Sequence, residues 1–229
     1  MINLIQYKST HQFIPYLSPQ KALECRDFCR ELVLNSKRDY FPLSYGSPNF
    51  LKVINNDPRS VVLGNYSQYN FFPWNENSKY IFDLLDTFIQ DFLIINFKNL
   101  DDLKLKKFLL EKDLRFNDNF FVRVAYQKFE NIFGYLDIHR DPASTYQIGA
   151  PILSLNSIDE IKRGGLYYIK NDKFYDVQNE FNLGEIIVFN SSWLHGVSNC
   201  HLVSDSNLEH LLIVVHAFQG SNFNKLSTK

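Results

Sequence analysis

Cysteine is scarce in this chain of 229 residues. Three are present, an odd number, so no closed disulfide framework uses them all, and packing must hold the core. Net charge is scarce as well. With 24 basic and 25 acidic residues the formal charge is -1 and the pI near 6.6, so there is no field to gather nucleic acid or an anionic membrane surface, and neither partner is expected. Long apolar runs are missing. FLIINF at 92–97 falls far short of the roughly 20 residues a spanning helix needs. MINLIQYKSTHQF lacks the apolar centre of a secretory leader, which leads to the expectation of a cytosolic, cytoplasmic protein. No repeat, low-complexity stretch or flexible linker divides the sequence, so a single domain over 1–229 is expected. Basic residues also thin out late. No arginine follows Arg163, and the later lysines are Lys170, Lys173, Lys225 and Lys229.

Aromatics are plentiful, 16% of the chain with 21 Phe and 13 Tyr, which suits a sheet-rich core or a lined pocket without choosing between them. Ser18-Pro19 is a helix start with Ser as N-cap, followed by Ala22, Cys25, Phe28, Cys29, Leu32 and Val33 at helical spacing. Asn77 or Ser78 is expected to cap a second helix with Ile81, Leu84, Leu85, Phe88 and Phe92 as its apolar stripe. Leu103 to Leu114 reads as a third, with its lysines on a solvated face. Between them, Asp39 to Pro73 reads as irregular, with short strand candidates at FLKVI and SVVLG. From Phe120 the texture changes to short runs bounded by Gly, Asn, Pro or Asp: FFVRVAYQKF, GYLDIHRD, QIGAPILSL, GLYYIK, EIIVFN, LHGVS and HLLIVVHAF. That is a barrel or sandwich pattern buttressed by N-terminal helices.

The stretch FGYLDIHRDPAST, Phe133 to Thr145, carries the candidate chemistry together with GEIIVFNSSWLHGVSN from Gly184 to Asn199. On a regular strand Tyr135, Asp137, His139 and Asp141 point one way and Leu136, Ile138 and Arg140 the other. His139 and Asp141 could then hold one metal ion along two edges, with His195 arriving from a distant strand. Two histidines and a carboxylate are the facial set associated with non-haem Fe(II). A His-x-Asp tripeptide alone is most often an ordinary surface or turn coincidence.

The order of the surrounding segments adds to it. AYQKF, the His-x-Asp of HRD, the Gly164-Gly165 pair, Gly184-Glu185, and His195 followed by a last apolar strand together resemble the Fe(II)/2-oxoglutarate-dependent dioxygenases. Within them the resemblance is to the prolyl-hydroxylase-type branch, and it runs from about Phe120 to Phe218. It implies a mainly β (α+β) fold, a double-stranded β-helix or cupin-like jelly roll over 119–218 with helical and loop support over 1–118. It implies Fe(II) on His139, Asp141 and His195, with 2-oxoglutarate as cosubstrate and O2 as oxidant. It also implies a Tyr126 that touches the cosubstrate, and hydroxylation of an aliphatic C-H with release of succinate. Asp141 favours hydroxylation over halogenation, since halogenating relatives carry a small residue in its place.

One position departs from the family. Where relatives carry an arginine or lysine to pair with the distal carboxylate of 2-oxoglutarate, this chain has His210. Its imidazolium could serve, its pKa raised by the anion, and His216 would share its face. Arg123 is the rival anchor, although its odd offset places it opposite Tyr126 on a regular strand. Ser198, Thr145 and Tyr146 are candidates for neutral hydrogen bonds to the cosubstrate, and Arg140 for a weaker role. Each is equally readable as structural. Two other functions fit the same residues: a cupin-like metalloenzyme that does not use 2-oxoglutarate, and a non-catalytic jelly-roll binding module. The substrate class expected is a small molecule or an amino-acid-like group.

Overall fold

The computed structural model describes residues 10–35, 50–53, 64–73, 76–97, 120–140, 149–190, 192–203 and 209–219. In chain order these form β1 (Gln12–Pro15), α1 (Pro19–Asn35), β2 (Phe50–Val53), β3 (Gly64–Phe71), α2 (Lys79–Phe97), β4 (Phe120–Glu130), β5 (Tyr135–His139) and β6 (Gly149–Ser154). They continue as β7 (Ile161–Lys170), β8 (Lys173–Asp176), β9 (Glu185–Asn190), β10 (Leu194–Leu202) and β11 (Glu209–Gln219). The strand order is β1-β9-β6-β11-β4-β3-β5-β10-β7-β8, with β2 on β3, and every described pairing is antiparallel. This curled sheet is the jelly-roll-like, mainly β fold expected from the sequence.

Alternation along the strands builds two cores. On β11, Leu211, Ile213 and Val215 point to the helices, where they meet Cys25 and Cys29 of α1 and Ile81, Phe82, Leu85, Phe88 and Ile89 of α2. Leu212 and Val214 point the other way, into a core with Phe129, Leu136, Ile152, Leu166, Ile187, Phe189 and Val197. A strand buried on both faces cannot show an apolar-polar alternation, and β11 reads in the sequence as the continuous run HLLIVVHAF. Each large apolar side chain removed from water in these layers contributes about 1.5–3 kcal/mol.

Ser18 caps α1 as the sequence predicts, its Oγ accepting from Lys21 N at 3.3 Å. Ser78 does something else: its Oγ accepts from the Phe72 N-H at 3.1 Å, joining the end of β3 to the turn before α2. The strand β3 runs through a segment that reads as irregular. Its Ser67 to Phe71 pair with β4, and its Gly64 and Asn65 with β5, so it links the two halves of the curled sheet. Strands from before residue 118 therefore complete the core. The third helix expected at 103–114 and most of the SVVLG candidate lie outside the described residues.

Candidate metal centre

Register decides which side chains meet here. β10 lies between β5 and β7, with His195 opposite His139 on one side and Tyr168 on the other, and Tyr175 of β8 stands opposite Tyr168. Directly opposed residues point to the same face, so Tyr175, Tyr168, His195 and His139 form one row across four strands. The rings of His139 and His195 have their centroids 4.3 Å apart. His195 is 5% exposed, and the ring of Phe189 packs edge-on against it at 5.1 Å.

Each imidazole is held by the carbonyl two residues before it. Nδ1 of His139 lies 2.8 Å from the Asp137 oxygen, and Nδ1 of His195 lies 2.9 Å from the Trp193 oxygen. A carbonyl only accepts, so both Nδ1 atoms carry the proton and donate it. In a neutral ring this fixes the tautomer and puts the lone pair on Nε2, the atom that a metal would use. Two imidazoles on one row, each held through Nδ1, would fit a divalent cation in their neutral form. Asp141, Thr145 and Tyr146 lie outside the described residues. Among the described residues no group of three His, Cys, Asp or Glu side chains gathers as a ligand set.

The two histidines open onto a small cleft of about 40 Å³, whose other lining residues are Gln127, Leu136, Ile152, Leu166, Gly196, Val197, Leu212 and Val214. Leu136 should face away from His139 on a regular strand, yet both line the cleft. The register slips here: from Leu136 to His139 β5 advances three residues while β10 advances two, from Val197 to His195. A bulge of this kind absorbs one residue and re-aims the side chain beyond it. Asp137 and Ile138, inside the irregularity, are exposed. Tyr168 extends the row away from the cleft, with Oη 2.7 Å from Nδ1 of His11 and its ring stacked on Tyr175. Burial, and then the neighbouring Tyr175, push its hydroxyl up to about 12.

The remaining sequence candidates separate by strand face. Tyr126 stands opposite Ile213 on the helix side, 1% exposed, with its hydroxyl unbonded among the described residues, and burial raises its pKa. It does not share the cleft. The residue of β4 that does is Gln127, opposite Leu212. Arg123 lies on that same inner face, opposite His216. Burial pushes the hydroxyl of Tyr66, whose ring stacks on Phe129, up to about 12, and the charge of Arg123 opposes that rise. Ser198 turns its hydroxyl to β7, where it accepts from Gly165 N at 3.1 Å and donates to the Gly165 oxygen at 3.3 Å.

His210 is fully buried beside Phe129, at a ring distance of 5.5 Å, and neither nitrogen has a hydrogen-bond partner among the described residues. Burial holds its pKa down to about 3. Without an anion beside it burial therefore favours the neutral ring, and no ion pair joins His210 to another described residue; the imidazolium expected from the sequence is one that a bound anion would have to induce. A buried polar atom left unpaired costs about 1–3 kcal/mol. Gln127 is a lining residue of the cleft that sequence reasoning missed. For Gln127 the sequence offers only that it lies opposite the row Val122, Val124 and Tyr126 on β4; which of the two faces meets the cleft is set by the packing of the helices.

No family model matches the chain, and no curated protein matches its sequence. Among solved structures it is similar to a prolyl-4-hydroxylase from Pseudomonas putida, at 16% identity and a TM-score of 0.55, over 92% of this chain and 94% of that one. It is also similar to a prolyl hydroxylase from Trichoplax adhaerens in complex with a hypoxia inducible factor oxygen degradation domain peptide fragment. There the identity is 12% and the TM-score 0.53, over 96% of this chain and 87% of that one. At these identities the likeness is one of fold.

Proposed function

We propose that this chain is a non-haem Fe(II)-dependent oxygenase that uses a 2-oxo acid, 2-oxoglutarate being the form the sequence resemblance implies. The observation that carries the reading is the pair His139 and His195, opposed in register, each donating Nδ1-H to the carbonyl two residues back and so offering Nε2. Asp141 is proposed as the third ligand on its sequence position. Fe(II) bound there would supply the oxidising chemistry that hydroxylates an aliphatic C-H. The protein's own part is to hold the two imidazoles in one tautomer and to line the cleft with Leu136, Ile152, Leu166, Val197, Leu212 and Val214, which exclude water from the reacting centre. The prolyl hydroxylases that share the fold point to a prolyl or amino-acid-like substrate.

A second reading is a metalloenzyme of the same ligands that needs no 2-oxo acid. It is favoured by the absence of lysine and arginine from the described lining of the cleft.

Calorimetric titration with Mn(II) tests the metal. His139→Ala and His195→Ala are each expected to weaken binding by at least about 100-fold, since even the partners that orient a metal ligand are worth about 10–100-fold, with far-UV circular dichroism unchanged. Undiminished binding in either variant refutes the assignment. Oxygen consumption that requires both Fe(II) and a 2-oxo acid then separates the first reading from the second.

A further inference from the structure

Apart from the two imidazoles, Gln127 is the one polar side chain on the described lining of the cleft, the rest being aliphatic or glycine. Its carboxamide is held from behind. Nε2 of Gln127 donates to Oε1 of Gln68 at 3.0 Å, and Nε2 of Gln68 donates to Oδ1 of Asn70 at 2.9 Å. All three side chains are buried, so a swing of Gln127 to another rotamer would leave a buried amide oxygen unpaired, and the relay fixes its direction. A primary amide carries two N-H hydrogens and a carbonyl oxygen. With one hydrogen committed to Gln68, Gln127 retains a second N-H and Oε1, and neither is bonded to a described residue.

The cleft is small, about 40 Å³, with room for on the order of three water molecules. A molecule held on His139 and His195 that sends its other end into this space therefore brings that end up against the Gln127 amide. A polar end pairs with it. An alkyl end strips the N-H and Oε1 of hydration and returns no hydrogen bond. Arg123, on the same inner face of β4, is four residues from Gln127, roughly 13 Å along the strand, and is not part of the lining.

We propose that Gln127, oriented by Gln68, is the specificity-determining contact of the cleft, hydrogen-bonding the far end of a metal-bound 2-oxo acid and so selecting one that ends in a polar group over one that ends in an alkyl group. This rests on the oxygenase reading above and deepens it by assigning the far end of the cosubstrate to a neutral amide.

The test uses the full chain loaded with Mn(II), titrated calorimetrically with 2-oxoglutarate and with 5-methyl-2-oxohexanoate, in which an isopropyl group replaces the far carboxylate. The wild-type protein is expected to bind the first at least about tenfold more tightly. Gln127→Met, close in length but without an N-H, should remove most of that ratio. Gln68→Met, which leaves Gln127 in place and takes away the acceptor that orients it, should lower it. A general loss of structure weakens both probes together and leaves their ratio alone, and Mn(II) affinity reports whether the site has folded. Equal affinities in the wild-type protein, or a ratio that survives Gln127→Met, overturn the proposal; a ratio that survives Gln127→Met but is lost in Arg123→Ala assigns the far end to Arg123 instead. Should Gln127→Met not fold, an unchanged ratio in Gln68→Met overturns the proposal in its place. Binding of Mn(II) without binding of either probe overturns the 2-oxo-acid reading itself, so the two failures are distinct.

Discussion

An imidazole buried without a partner among the described residues links folding to pH. The folded-state pKa of His210 is depressed by burial to about 3, while in the unfolded chain the ring titrates near its ordinary 6.5. Above about pH 6.5 both states are neutral there and nothing is lost. As pH falls from 6.5 towards 3 the unfolded state takes up a proton that the folded state refuses, so stability declines by at most about 1.4 kcal/mol per pH unit from this group. His210→Leu should flatten that part of the urea-midpoint profile; an unchanged slope between pH 6 and 4 would show that the ring is accessible or paired. Much of the site is legible from single residues. His139 and His195 stand out because one lies in a His-x-Asp strand and the other heads a strand after a Gly-Glu turn. The phase of β4 is not legible in the same way. AYQKF offers Tyr126 and Gln127 as neighbours, and only the packing of α1 and α2 against Val122, Val124 and Tyr126 shows that Gln127 faces the cleft. The bulge in β5 is hidden too, since it depends on the partner strand.

Elements were read best where an apolar stripe or an unbroken apolar run marks them. α1 and α2 show the stripe, β9 and β11 the run. β3 shows neither, because Ser67, Gln68 and Asn70 are buried polar residues on a strand whose sequence, GNYSQYNF, looks like a loop. Its polar side chains are matched by the carboxamide of Gln127 on β4, a pairing invisible until the two strands are adjacent. The glycine pair at the start of β7 was recognised as a strand opening, and the structure shows its physical purpose. Gly164 has φ +78°, and a Cβ there would collide with the Asn199 carbonyl of β10, where the β7–β10 register shifts. Gly164→Ala is expected to cost about 1–3 kcal/mol from backbone strain and, because β10 carries His195, to weaken Mn(II) binding also. Unfolding in urea and metal titration measure the two effects, and an unaltered midpoint would mean the bulge tolerates a side chain.

At the scale of the whole molecule, β11 is the last described strand and yet occupies the middle of its sheet, between β6 and β4, joining Phe120 to Gln219 at one end of the ladder and Glu130 to Glu209 at the other. Both of its faces are buried. A chain truncated before Glu209 should therefore lose the inner and the helix-side cores together and accumulate as aggregate; a soluble truncated chain with a cooperative thermal transition would contradict this placement. The same arrangement constrains how the protein is made. Synthesis proceeds from the N-terminus, so β4 and β6 leave the ribosome long before the strand that will separate them, each with an unpaired edge that could join the other or a neighbouring nascent chain. Contacts so distant in sequence also close slowly. The protein thus passes through its most aggregation-prone form during translation, and its yield in a cell depends on how fast the ribosome delivers the final strand and on whether a chaperone covers the open edges until it arrives.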